Sequence, residues 1–114
     1  MEGADMDPEW IRPAAVAGAW YPDDPQELST MIDGYLQAVK PVDGAPEALI
    51  VPHAGYRYSG SVAAYGFKQL EHREIDTAVL LASDHQPPLS RPISVWSRGG
   101  FDTPLGVMPV NERL

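Results

Sequence analysis

Three stretches of the chain carry a clear hydrophobic pattern. Leu28, Met31, Ile32, Tyr35, Leu36 and Val39 recur at i, i+3, i+4 spacing, so one face of a helix over 25–39 is apolar. Its start is marked by Asp24-Pro25-Gln26-Glu27: Asp24 can cap, Pro25 suits the first helical position, and Glu27 can return the hydrogen bond. Ala48-Leu49-Ile50-Val51 and Thr77 to Ala82 follow a different rule. They are short, unbroken apolar runs without polar alternation, which predicts strands covered on both faces. Between them Val62, Ala63, Phe67 and Leu70 predict a crossover helix over 61–70, capped by Ser59 or Ser61. Strand, helix, strand in this order is a βαβ unit with parallel strands.

The remainder is less regular. Residues 1–10 read as a disordered amino-terminal tail and 11–114 as one α/β domain. The small residues Ala14, Ala15, Ala17, Gly18 and Ala19, ahead of Trp20-Tyr21-Pro22, predict close packing against another backbone. Pro41 to Pro46 is a linker, and Ile93 to Trp96 and Val107 to Val110 are further strand candidates. Pro109 confines the last of these to a sheet edge or a loop.

Charge narrows the function classes. Eight Lys and Arg against 16 Asp and Glu leave a net charge of −8, with no basic patch for nucleic acid or an anionic membrane. Cysteine is absent, so neither a disulfide nor a thiolate metal site is built from this sequence. The first residues are acidic rather than signal-like, and no apolar run approaches the roughly 20 residues of a membrane span. A cytoplasmic location is the expectation.

The candidate chemistry lies where the two predicted strands end. His53 follows Val51-Pro52, and His85 follows the 77–82 run. In open α/β units ligands bind beyond the carboxyl ends of parallel strands, so both imidazoles should reach one sheet edge. Neutral imidazole is a ligand for zinc, copper and iron, which makes His53 and His85 candidate metal ligands. Two ligands make an incomplete shell. Asp84 can add a carboxylate or serve a turn, and Tyr56 and Tyr58 can line a pocket, donate a proton or simply pack. His72 falls at the other end of the crossover, among charged neighbours, and reads as solvated.

At these residues the chain resembles the Memo-like family, whose bacterial and archaeal members are called AmmeMemoRadiSam system protein B. Arg12 to Pro22, with its Gly-x-Trp-Tyr-Pro ending, comes first, then Leu49-Ile50-Val51-Pro52-His53-Ala54-Gly55-Tyr56-Arg57-Tyr58-Ser59-Gly60. Val79-Leu80-Leu81 through His85 and Thr103-Pro104-Leu105-Gly106 follow in family order. The resemblance implies a fold like the class III extradiol dioxygenases, here truncated to an amino-terminal portion. It implies family metal ligands at His53 and His85, with copper or iron as the metal and redox chemistry as its use. It also implies association with a radical SAM enzyme and a third partner protein. The family's Leu-Gly-Pro-Ser-His-His reads Leu81-Ala82-Ser83-Asp84-His85-Gln86 here, so Gln86 stands at a pocket position where the family has a second histidine.

These features lead to a Memo-like, metal-binding protein, with a metal-dependent oxidoreductase or dioxygenase-like activity as an open alternative. Two other readings stand beside it: a non-catalytic peptide- or protein-binding module, and an inactive truncated fragment. Apolar strands with little to cover them predict a chain that forms a homo-oligomer, needs a complementary chain, or is marginally folded.

Overall fold

Asp24 starts the longer helix as its sequence predicts. In the computed structural model, which describes residues 6–85 and 93–114, helix α1 spans Pro25–Gln37 and Asp24 Oδ1 accepts from Glu27 N at 2.8 Å. The backbone stays close to the helix for one more residue, and Val39 N bonds Leu36 O. Helix α2, Tyr56–Phe67, begins five residues before the expected start and runs into a 3-10 turn at Lys68–Leu70. Gly55 is its N-cap, not a serine, and the buried Ser59 sits one turn inside. His72 closes this unit with φ 63, the left-handed conformation that stops a helix.

The two helices approach closely at Gly60. A Cβ there would lie 2.7 Å from Tyr35 Cε2. Gly66, further along α2, leaves room for Val51 in the same way, its virtual Cβ being 2.6 Å from Val51 Cγ1. Gly60→Ala would gain about 1 kcal/mol of helix propensity but overpack the Tyr35 ring at a cost of about 1–3 kcal/mol. A net loss of stability is expected, and a shift of the urea midpoint to lower concentration is the check.

The sheet forms elsewhere than expected. Strand β1, Ile11–Arg12, runs parallel to β2, Gly100–Thr103, which pairs antiparallel with β3, Gly106–Pro109. The order β1-β2-β3 makes β3 an edge. Pro109, which has no N–H to give a ladder, is accommodated there. Thr103-Pro104-Leu105-Gly106 is the hairpin turn: Thr103 Oγ1 donates to Gly106 O at 2.7 Å and accepts from Leu105 N at 3.1 Å. Gly106 has φ 121, a conformation open to glycine. Trp10, Trp96 and Phe101 form an aromatic group on this sheet, with the Arg98 guanidinium 3.8 Å from the Trp10 ring centroid. Ahead of β1, Pro8–Trp10 is a 3-10 turn, and the Trp10 ring centroid lies 6.0 Å from that of Trp96.

The predicted parallel ladder between 48–51 and 77–82 is absent among the described residues, and 93–96 is likewise not a strand. Leu49 and Val51 turn toward α2, whereas Ile50 is fully exposed. Residues 77–82 are exposed throughout. An apolar parallel pair needs a layer on each face, and here α2 supplies one layer to one segment. The chain is thus α/β, with two helices and a small mixed sheet. Leu28, Val39 and Ala64 are its buried apolar residues among those described.

Candidate functional site

The loop carrying His53 is tied down on three sides. Tyr56 N donates to Trp20 O at 2.8 Å, joining the Trp-Tyr-Pro segment to the first residue of α2. Ser59 Oγ donates to Ala54 O at 3.1 Å, and Tyr35 Oη donates to Tyr56 O at 3.1 Å. Gly55 lies against Trp20, where even a Cβ would meet Trp20 O at an ordinary contact distance of 3.4 Å. The contact is made by Trp20, whereas the small residues Ala15, Gly18 and Ala19 ahead of it are exposed and bond only locally, so the close packing expected of them is not what holds the loop. Sequence reasoning missed Tyr35 and Ser59 as anchors, because one looked like an apolar helix position and the other like a cap. The proximity of Tyr-Ser-Gly to Pro-His-Ala-Gly was the available signal for Ser59.

His85 arrives from the other segment. That segment is held at its start by Asn111 Nδ2, which donates to Thr77 Oγ1 at 2.8 Å. At its end His85 Nε2 lies 2.9 Å from His53 Nε2, with ring centroids 5.2 Å apart. Without a metal this is a hydrogen bond in which one ring donates and the other accepts. Both histidines are exposed, and so is His72, which follows α2 and its 3-10 turn and makes no contact with the pair. Among the described residues no ladder joins 48–51 to 77–82, yet the loops that follow the two segments meet.

The other candidates are dispersed. Tyr56 is half-buried, its ring 5.4 Å from Tyr21, and both line an apolar cavity of about 400 Å³ with Leu28, Ile32 and the β2–β3 turn. Neither histidine lines that cavity. Tyr58 is exposed and lines neither this cavity nor the smaller one beside Trp10. Asp84 is exposed next to His85 in sequence. Among the described residues no cluster of three His, Asp or Glu forms. Gln86 lies outside the described residues.

Burial, and beyond it the nearby Tyr21 phenol, raises the pKa of Tyr56 above its ordinary value. The unfolded chain therefore loses this proton first as pH rises. The Tyr56 contribution to stability is complete below the ordinary tyrosine value of about 10 and declines as pH climbs through the raised one. Urea midpoints between about pH 9 and 11 should fall more steeply in the natural chain than in Tyr56→Phe.

Known proteins are similar to this chain in sequence. The family model for Memo-like protein matches residues 12–114. The chain belongs to the Memo-like family. A MEMO1 family protein of Aquifex aeolicus is 39% identical over 105 residues, covering 91% of this chain and 38% of the relative. One from Thermotoga maritima is 39% identical over 113 residues, covering 90% and 41%. One from Thermoplasma volcanium is 35% identical over 104 residues. This Memo-like chain spans about two-fifths of the length of the curated relatives it matches.

Among the described residues no helix is long and apolar enough to cross a membrane.

Proposed function

We propose that this Memo-like chain binds a transition-metal ion through His53 and His85, as the amino-terminal part of a fold like the class III extradiol dioxygenases. The carrying observation is the 2.9 Å separation of the two Nε2 atoms. Metal–nitrogen bonds of about 2.0–2.1 Å to one ion span any separation up to about 4 Å, so the pair fits without rearranging the backbone. Copper or iron is the ion proposed, on the family resemblance of the His53 and His85 segments. A bound ion of this kind would supply redox or Lewis-acid chemistry. The residues that hold it are His53, fixed by the Trp20, Tyr35 and Ser59 contacts, and His85.

Two imidazoles leave the remaining positions to water or other groups, so binding by this chain alone is weak. A redox role shared with a radical SAM enzyme and a third AmmeMemoRadiSam protein, in the cytoplasm, is the wider setting proposed. Titration with Cu(II), followed by electron paramagnetic resonance, tests the site. The expected result is a nitrogen-coordinated signal at one ion per chain that a chelator removes. A signal without histidine nitrogen coupling would end the proposal.

A further inference from the structure

His53 is exposed, so burial does not fix the place of its ring. Where Nε2 stands is set by the backbone of the loop. Two hydroxyls from outside the loop bind that backbone on either side of Gly55. Ser59, 8% exposed, donates to Ala54 O, the carbonyl next after His53, at 3.1 Å. Tyr35 Oη crosses from α1 to Tyr56 O, also at 3.1 Å. Helix geometry requires neither hydroxyl. Ser59 N already bonds Gly55 O, and the Tyr35 ring meets Gly60 through its carbon edge.

The tolerance of a two-nitrogen site is narrow. His53 Nε2 and His85 Nε2 are 2.9 Å apart. Bonds of about 2.0–2.1 Å to one ion reach across no more than about 4 Å, so a loop displacement of about 1 Å carries the pair to the limit of that reach. Binding groups in general need placing within about 0.5 Å, by contacts that lock the elements carrying them. Loss of a hydroxyl leaves a part-buried carbonyl without its donor, and turning toward water recovers the bond.

We infer that Ser59 and Tyr35 are positioning residues for the His53–His85 pair, acting on the His53 loop and not on the ion. The inference deepens the metal reading above and rests on it for copper affinity, while the pair itself is held by the loop bonds with or without metal.

The test compares the natural chain with Tyr35→Phe, Ser59→Ala and the double variant. Tyr35→Phe keeps the ring on Gly60 and removes only the hydroxyl, so it stays informative even where Ser59→Ala unfolds. Val39→Ala, buried just beyond the C-cap of α1 and outside these bonds, supplies a general loss of stability for comparison. The first readout is nitrogen NMR of the metal-free histidine rings, with His85→Ala marking the signal of an unpaired His53. The His53 Nε2 signal is expected to move toward that mark in each hydroxyl variant and to reach it in the double variant. Val39→Ala should keep the natural signal. The second readout is Cu(II) affinity, expected to fall at least about tenfold in the double variant, the lower end of the loss for an outer partner of a metal ligand. A natural ring signal in both Tyr35→Phe and Ser59→Ala overturns the inference, as does an equal shift in Val39→Ala. So does natural copper affinity in the double variant when the natural chain itself binds through histidine. Absence of histidine-bound copper in the natural chain would end the metal reading alone, with positioning decided by the ring signals.

Discussion

Leu28→Ala is expected to cost about 2–5 kcal/mol and to remove most of the cooperative unfolding transition. Leu28 is 4% exposed, on the first turn of α1, and shares the described apolar core with Val39 and Ala64 alone. It also lines the half-open apolar pocket of about 400 Å³ beside the β2–β3 turn, so truncation widens that pocket. A domain of ordinary stability has about 5–15 kcal/mol in total. With so few buried apolar side chains this chain belongs at the lower end, and one such substitution removes a large share. Urea unfolding followed by the helical circular dichroism signal is the measurement. A midpoint shift worth less than about 1 kcal/mol would show that Leu28 is not central to the core.

His53→Ala is expected to lower Cu(II) affinity by at least about 10- to 100-fold, the loss seen when even an outer partner of a metal ligand is removed. His85→Ala should do the same, because each histidine supplies one of the two nitrogens in the pair. His72→Ala should leave affinity unchanged, since His72 stands at the far end of α2. The loop around His53 is held by bonds from Tyr56 N, Ser59 Oγ and Tyr35 Oη, none of which uses the imidazole, so the variant should keep its fold. Titration calorimetry of the four proteins decides. Equal affinity in natural chain and His53→Ala would remove His53 from the site.

The sequence by itself determined the start of α1, because Asp24 and Pro25 act on their own immediate neighbours. The proximity of His53 and His85 was expected from a parallel-strand edge. They meet at 2.9 Å with no ladder between 48–51 and 77–82 among the described residues, so the pair was reached through a sheet that is not formed there. The edge position of Pro109 was legible for the same local reason, the missing N–H. The start of α2 was not legible: Gly55 has no capping side chain, and Ser59 spends its hydroxyl on Ala54 O. The aromatic group of Trp10, Trp96 and Phe101 joins residues far apart in the chain, and no local pattern announces that contact. The tertiary structure alone decided that the sheet is built from 11–12, 100–103 and 106–109 while 48–51 and 77–82 pair with none of the described residues. An apolar run states that a strand needs covering. Whether a layer is present to cover it depends on what the rest of the fold places there, and here α2 covers the Leu49 and Val51 side and leaves Ile50, Leu80 and Leu81 open.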